Sequence, residues 1–194
     1  MCGGSYNGYN QWATAKERPP HLATIIPAAA PYLGVDCPMR CNIFFPYFTQ
    51  WLMYVAGKTG QAKLFADRAF WSGLYRRWHK SGKSFKELVR SFGPPAAIME
   101  EWLAHPAPDE YWDARNPTAH EYRGIQIPVL TITGTYDDDQ PGALTHYFEH
   151  MGNASPAARE RHYLVIGPWD HAGTYILTRS SGSNRIKGAA VEIN

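Results

Sequence analysis

Three residues whose side chains can together transfer an acyl group occur along the chain in the order Ser5, Asp137 and His171. A serine hydroxyl attacks a carbonyl carbon when a base takes its proton, and a histidine oriented by a carboxylate is a common base. Gly3 and Gly4 directly precede the serine, and a sharp turn from a strand into a helix needs small neighbours. These features predict a nucleophilic serine exposed at a turn.

The predicted acid and base each follow a short apolar run. Asp137 follows Val129–Thr133, which reads VLTIT, and His171 follows Tyr163–Ile166, which reads YLVI. Such runs are typical of strands buried on both faces of a parallel sheet. Because functional groups of these sheets lie at the carboxyl ends of the strands, we expect the two side chains to meet there. Asp138 is the alternative acid.

The elements that must position these residues alternate between strands and helices. Leu22–Ile26, which reads LATII, predicts a further strand, and Tyr9–Glu17 and Gly142–Met151 predict helices. This rhythm indicates the α/β class.

A long segment between the first two apolar runs has a different pattern. Residues 38–122 are rich in aromatic side chains, and helices are predicted over residues 47–56, 62–79, 84–91 and 95–104. Two interpretations remain open at this point. The helices form a cap over a site, or they simply cover the sheet.

A rival pattern, for a metal site, occurs at His146, Glu149 and His150, which match H-x-x-E-H. On a helix the two histidines share one face, as two zinc ligands must. The required third carboxylate has no good candidate, because Glu160 and Glu192 stand in unsuitable contexts. We therefore expect an amphipathic helix with surface histidines and no bound metal.

The glycines near the N-terminus also invite comparison with a dinucleotide-binding motif. That motif needs glycine at its middle position, where the backbone approaches a pyrophosphate, and Ser5 occupies this position. Cys37 and Cys41 have no further His or Cys beside them to complete a zinc pattern. No cofactor is therefore predicted.

The composition excludes several classes of protein. The chain has 194 residues, of which 44% are hydrophobic, and a formal net charge of +2. This charge is too small for an electrostatic nucleic-acid footprint, and no apolar run is long enough to predict a membrane span. Three cysteines are too few for a disulfide framework. No signal-peptide pattern is visible, from which we expect a cytoplasmic location.

Several short motifs resemble those of one family. They are G-x-S-Y-x-G at Gly3–Gly8, Gly-x-Tyr-Asp at Gly134–Asp137, G-P-W-x-H at Gly167–His171 and, after the helical segment, His105-Pro106, Asp109, Tyr111, Trp112 and Pro128. Together they resemble the cocaine-esterase-like and Xaa-Pro dipeptidyl-peptidase-like (CocE/NonD) branch of the α/β-hydrolases. The resemblance runs from Gly3 to about Thr174.

The resemblance implies an α/β fold that contains the C-terminal half of an α/β-hydrolase sheet, with an inserted helical cap. The implied hydrolase core comprises residues 1–37 and 123–178, and the implied cap comprises residues 38–122. Residues 179–194 are rich in Ser and Gly at their start, and we expect them to form a flexible connector.

The activity that the resemblance implies is that of a serine hydrolase. It would cleave an ester, an acyl-amide or an Xaa-Pro peptide bond through an acyl-enzyme. Ser5 is then the nucleophile, His171 the base, and Asp137 the residue that orients this base. The backbone N–H of Tyr6 supplies an oxyanion donor.

The resemblance also implies residues that bind the substrate, a small ester or amide or a short peptide, with no nucleic acid or membrane as partner. Family members that cleave esters of α-amino acids hold the substrate ammonium with acids just after the triad acid. Asp139 is similar to one such acid, whereas Gln140 departs from the other. We therefore expect a weak or absent preference for a free α-amino group. Trp169 is a second candidate substrate-binding residue.

The chain departs from the family at both ends. Family members have strands before the nucleophile and a jelly-roll domain at the C-terminus, and we see neither pattern here. We therefore expect an N- and C-terminally truncated piece of a hydrolase with little activity of its own. Two alternatives are a non-catalytic remnant that binds a partner through its aromatic cap and, less favoured, a zinc hydrolase.

Overall fold

The computed structural model describes residues 1–56 and 61–175. The predicted connector, residues 179–194, and the end of the predicted core lie outside the described residues. The described chain divides into two compact units. The first contains Met1–Cys37 and residues 108–175, and the second contains Pro38–Ala107.

The strands form one parallel sheet and one hairpin. They are β1 (Cys2–Gly4), β2 (Ile26–Ala28), β3 (Met39–Arg40), β4 (Ile43–Phe44), β5 (Val129–Tyr136) and β6 (His162–Asp170). In the first unit the strand order is β1-β2-β5-β6, and all neighbours are parallel. Every strand of this sheet therefore ends at the same edge, where the loops that follow can bring side chains together.

Helices follow the strands of the sheet and make up most of the second unit. They are α1 (Tyr6–Ala15), α2 (Tyr47–Val55), α3 (Gln61–Ala66), α4 (Arg68–Ser81), α5 (Phe85–Arg90), α6 (Ala96–Ala104), α7 (Glu110–Asp113), α8 (Ala119–Gly124), α9 (Gln140–Asn153) and α10 (Pro156–Arg159). A 3₁₀ turn covers Ala172–Thr174. No helix among the described residues is both long enough and apolar enough to cross a membrane.

The core of the first unit forms where α1 and α8 pack with strands β2 and β5. Trp12 and Tyr122 are fully buried there, with their rings edge to face at 5.8 Å. The other buried members of this cluster are Ala15, Ile25, Ala30, Ile125 and Val129. Burial of large apolar side chains supplies most of the favourable free energy of folding in such a core.

The second unit has an apolar cluster of its own. Leu52 of α2, Val89 of α5 and Met99 of α6 are buried together. Ser84 and Glu87 form the capping box that starts α5, as their spacing in the sequence indicates. The hairpin β3–β4 was not predicted, because its turn residues, Cys41 and Asn42, adopt positive φ angles of 50° and 64° without the usual glycine.

The predicted helix over residues 62–79 is two helices. Asp67 interrupts it, because its carboxylate accepts a hydrogen bond from the backbone N–H of Phe70 and caps α4. A side-chain cap of this kind replaces the helical hydrogen bonds that an N-terminus lacks. The helical unit ends at Ala107, whereas the predicted insert runs to residue 122.

Two predictions about the strands are wrong. The strand predicted at Leu22–Ile26 lies instead at Ile26–Ala28, because its partner β1 pairs Cys2 with Ile26 and Gly4 with Ala28. The strand β6 was expected to be buried on both faces, but it is an edge strand. Its apolar residues Tyr163, Val165 and Ile166 are exposed by 61%, 41% and 49%.

Candidate active site

Ser5 is the single residue between β1 and α1. Its backbone angles are φ 59° and ψ −129°, a conformation that a residue with a Cβ adopts at a cost. The Ser5 N–H donates to the Ala28 carbonyl of β2 at 2.9 Å, and the Ser5 carbonyl accepts from the N–H of Gly8 and of Tyr9. The turn is thus anchored on the sheet and on the first turn of the helix.

Two glycines allow close approach at this turn. A Cβ on Gly8 would lie 2.8 Å from the Ala28 carbonyl oxygen, so glycine lets α1 pack directly on β2. A Cβ on Gly4 would overlap the ring of Tyr175. The close contacts at Gly4 and Gly8 therefore explain why these two positions near Ser5 carry no side chain.

Asp137 and His171 are brought together by the register of β5 and β6. The pairing runs from Val129 with His162 to Gly134 with Gly167, then shifts so that Tyr136 pairs with Asp170. Such a bulge redirects the residues that follow it. Asp137 and His171 each come directly after this last pair, and His171 Nδ1 lies 2.8 Å from Asp137 Oδ1.

The Asp137 carboxylate is held at both of its oxygens. Besides His171, its Oδ1 accepts from the backbone N–H of Asp139 at 3.0 Å. The hydroxyl of Thr133 donates to Oδ2 at 3.2 Å. A carboxylate only accepts hydrogen bonds, so His171 must carry a proton on Nδ1. Its Nε2 is then the basic nitrogen.

The pKa of His171 is raised above its ordinary value of 6.5. Burial is the largest single influence and acts to lower the pKa, because it disfavours the imidazolium charge. The hydrogen bond that His171 donates to Asp137 and the charges of Asp139, Asp137 and Asp138 act in the opposite direction and together outweigh it. The acidic loop thus favours the protonated imidazole.

Tyr175 contacts both His171 and Gly4, the residue before Ser5. The Tyr175 ring packs edge to face on the His171 ring at 5.5 Å, and it fills the space left by the missing side chain of Gly4. Within the described residues, neither the Ser5 hydroxyl nor His171 Nε2 makes a hydrogen bond. The structure therefore brings Asp137 and His171 into direct contact, and it shows no hydrogen bond between His171 and Ser5 among the described residues.

The other residues predicted for the site have distinct positions. Tyr6 is the first residue of α1, where backbone N–H groups face out of the helix N-terminus. Asp139 Oδ2 lies 3.7 Å from His171 Nδ1. The Trp169 ring packs against Gly167 of its own strand, where a Cβ would collide with it.

Sequence reasoning missed three residues of this region. Thr133 closes the run VLTIT, and a polar residue in an apolar strand was a usable signal. Gln11 lies six residues after Ser5 on the helix and is 1% exposed, and a polar residue on the core side of α1 was again a signal. No local sequence pattern identified Tyr175 as a residue of this region.

The prediction of surface histidines on α9 is wrong, because His146 and His150 are fully buried. The carbonyl of Pro31 accepts from His146 Nε2, so His146 Nδ1 accepts from the Tyr122 hydroxyl, at 2.7 Å. The period of the motif places both histidines on one face, and this face packs against Trp12 instead of solvent.

His150 belongs to a second hydrogen-bonded chain. Its Nε2 donates to the Ile125 carbonyl at 3.1 Å, so its Nδ1 accepts from His162 Nδ1 at 3.0 Å. His162 Nε2 in turn accepts from the Thr131 hydroxyl at 2.9 Å. The described residues contain no group of three or more His, Cys, Asp or Glu side chains that could hold a metal ion.

Comparison with known proteins adds a family and a fold. A family model described as X-Pro dipeptidyl-peptidase (S15 family) matches residues 1–173. No curated protein matches the chain. An aminopeptidase structure from the marine sediment archaeon Thaumarchaeota archaeon has a TM-score of 0.63 at 18% identity, over 88% of this chain and 28% of that chain.

Two further solved structures are similar. An α-amino acid ester hydrolase has a TM-score of 0.65 at 20% identity, over 90% of this chain and 29% of that one. A CocE/NonD family hydrolase from Staphylococcus aureus has a TM-score of 0.48 at 19% identity, over 85% of this chain and 23% of that one. The chain thus spans less than a third of each structure's length. The predicted fold class, part of an α/β-hydrolase sheet with helices, is confirmed.

Proposed function

The chain belongs to the X-Pro dipeptidyl-peptidase (S15) family, and from this premise we propose that its site performs serine-dependent hydrolysis. The observation that carries the proposal is the 2.8 Å hydrogen bond between His171 and Asp137. It lies at the edge of the parallel sheet where β1 also ends, directly before Ser5. A serine, its base and the acid that orients the base are the groups that acyl transfer requires.

In the proposed reaction, Ser5 Oγ forms a bond to the substrate carbonyl carbon while its proton passes to His171 Nε2. Asp137 keeps the Nδ1 tautomer and stabilises the imidazolium that results. The oxyanion faces the N-terminus of α1, where the Tyr6 N–H donates to it. The tetrahedral intermediate then collapses, the bond to the leaving group breaks, and His171 returns the proton to that group. Water releases the acyl group by the reverse sequence.

The proposed substrates are esters, acyl-amides or Xaa-Pro peptides. Two of the similar structures are named for substrates with an α-amino group, an aminopeptidase and an α-amino acid ester hydrolase. In this chain Asp139 lies beside the imidazole, with its Oδ2 3.7 Å from His171 Nδ1, and Gln140 donates its amide to the Gly134 carbonyl at 2.8 Å. One acid beside the imidazole supports the proposal of a weak preference for a free α-amino group. Trp169 stays a candidate for substrate contact, and the helical unit stays a candidate for a cap.

The proposal is tested by labelling the full chain with a fluorophosphonate, which phosphonylates an activated serine and releases fluoride. We expect one label per chain, at Ser5, identified by peptide mass spectrometry. Ser5→Ala should abolish the label and His171→Ala should slow it by at least about 100-fold. Ser72→Ala is the matched control, because Ser72 is exposed on α4.

Two results would count against this function. Labelling that survives Ser5→Ala would show that another residue reacts. A folded chain that the probe does not label would favour the alternative, a non-catalytic member of the family that binds its partner without chemistry.

A further inference from the structure

A buried glutamine connects the two sides of the turn that carries Ser5. Gln11 lies in α1 and is 1% exposed. Its Nε2 donates to the Gly3 carbonyl and to the Asn7 carbonyl, each at 3.0 Å. These carbonyls lie two residues before and two residues after Ser5. One side-chain amide therefore joins the strand that enters the turn to the helix that leaves it.

The other end of the same amide is anchored on the neighbouring strand. Gln11 Oε1 accepts from the backbone N–H of Ile26 at 2.8 Å, an N–H that the Met1 carbonyl also accepts from at 2.9 Å. The reversed amide would set Oε1 against two carbonyl oxygens and Nε2 against an N–H. Only one orientation of the amide therefore satisfies all three partners.

The turn needs such support because Ser5 has a backbone conformation, φ 59° and ψ −129°, that is costly for a residue with a Cβ. Costly conformations persist only where the surroundings over-determine them. We infer that Gln11 is a positioning residue, which holds the Ser5 turn in the shape that presents the serine hydroxyl. The inference rests on the proposed function, in which Ser5 is the nucleophile.

The test compares two substitutions of glutamine by a side chain of similar length that makes no amide hydrogen bonds. Gln11→Met removes the three contacts of the turn. Gln126→Met is the matched control, because the Gln126 amide donates to the Arg123 carbonyl and accepts from the Ser155 hydroxyl, away from Ser5. The full chain is used for both.

Two readouts are measured on each variant. The first is hydrogen–deuterium exchange of the Ser5 and Gly8 amides, which donate to the Ala28 and Ser5 carbonyls. The second is the rate constant for fluorophosphonate labelling of Ser5. Exchange reports the turn itself and does not depend on any reaction at the serine.

For Gln11→Met we expect these two amides to exchange about tenfold faster, since the Gly3 and Asn7 carbonyls lose the Gln11 side-chain amide as a donor. The Lys16 amide, at the far end of α1, should keep its exchange rate. Labelling should slow by at least about tenfold, because a small displacement of a nucleophile has a large effect on rate. Gln126→Met should change neither readout.

Unchanged exchange at the turn in a folded Gln11→Met chain would overturn the inference, and so would a uniform rise over the whole sheet. Faster exchange with an unchanged labelling rate would overturn the positioning role. If the wild-type chain is not labelled, the proposed function fails, and the exchange data still decide whether Gln11 holds the turn. If Gln11→Met does not fold, the inference is tested instead by NMR measurement of side-chain amide exchange in the wild-type chain. The Gln11 side-chain amide protons should exchange more slowly than those of Gln126, and equal rates would refute the inference.

Discussion

Three successive acids, Asp137 to Asp139, determine the charge around His171. Asp137 is hydrogen-bonded to the imidazole at 2.8 Å, and Asp139 Oδ2 is 3.7 Å from the same nitrogen. Burial acts to lower the pKa of His171, but the hydrogen bond to Asp137 and the charges of the three acids keep it above 6.5. A base must be unprotonated to accept the proton of Ser5. The proposed reaction should therefore slow as the pH falls through the pKa of His171.

Asp139→Asn tests this arrangement at the level of one residue. The substitution removes a charge and keeps the backbone N–H that donates to Asp137. The pKa of His171 should fall, so the acid limb of the labelling rate of Ser5, measured from about pH 5 to pH 9, should move to lower pH.

Asp138→Asn is the matched control for that measurement. The charge of Asp138 contributes least of the three to the pKa of His171, so the acid limb should move less. A larger shift for Asp138→Asn, or a shift of either profile to higher pH, would contradict this account of the site. The ratio of hydrolysis rates for an amino ester and its deaminated analogue should change little in Asp139→Asn, in keeping with a weak ammonium preference.

At the scale of elements, the position of the serine turn depends on how closely α1 approaches β2. Gly8 is buried, and a Cβ there would lie 2.8 Å from the Ala28 carbonyl oxygen and 3.0 Å from the Ala30 Cβ. Neither partner can move without shifting a strand. Gly8→Ala should therefore lower the free energy of unfolding by about 1–3 kcal/mol, the usual effect of overpacking. Urea unfolding measures it.

Gly152→Ala is the control for Gly8→Ala, because it makes the same change in a helix with open space. Gly152 is exposed in α9, and nothing lies within 4 Å of a Cβ placed there. Alanine is the better helix former by about 1 kcal/mol, so Gly152→Ala should stabilise the chain slightly. If Gly8→Ala stabilised it as well, the close contact with β2 would not be rigid.

The loops after β5 and β6 illustrate what the sequence could predict at this scale. Asp137 and His171 each follow an apolar run, and short apolar runs that end at Gly or Pro favour strands. The sequence predicted that the two side chains meet at one edge of the sheet, but it did not predict the register shift, pairing Tyr136 with Asp170, on which their hydrogen bond depends. Pro168 has no N–H for the ladder and is a local sign of such an irregularity. The presence of Pro168 does not indicate by how many residues the register of β5 and β6 shifts.

At the scale of the whole molecule, prediction failed where burial depends on distant segments. The H-x-x-E-H spacing correctly placed His146 and His150 on one face of a helix. Whether that face meets solvent or core depends on Trp12 of α1 and Tyr122 of α8, whose rings pack against the two histidine rings. No local pattern around residue 146 contains this information. The composition shows that the chain is rich in aromatic residues, but it does not show which rings contact each other.

The three buried histidines, His146, His150 and His162, should make the stability of the chain dependent on pH. Burial lowers the pKa of all three below 6.5, to about 3 for His146 and for His162. They stay neutral in the folded chain, while the unfolded chain binds protons below about pH 6.5. His146 and His162 should therefore each remove up to about 1.4 kcal/mol of stability per pH unit as the pH falls from 6.5 toward 3, and His150 should act in the same direction. Urea unfolding at several pH values measures this slope.

His162→Gln should make that slope shallower by about a third, since one of the three titrating groups is lost. Glutamine can still accept a hydrogen bond from Thr131 and donate one toward His150, so we expect the variant to fold. His120→Gln is the control, because His120 is exposed, and it should leave the slope unchanged.

The effect of His171 on the pH dependence of stability has the opposite sign. Its raised pKa gives stability that is fully present below pH 6.5 and is lost as the pH rises through the pKa of the folded state. It therefore cannot produce a loss of stability in acid. A stability that stays flat between pH 7 and pH 5 would show that the buried histidines accept protons in the folded chain.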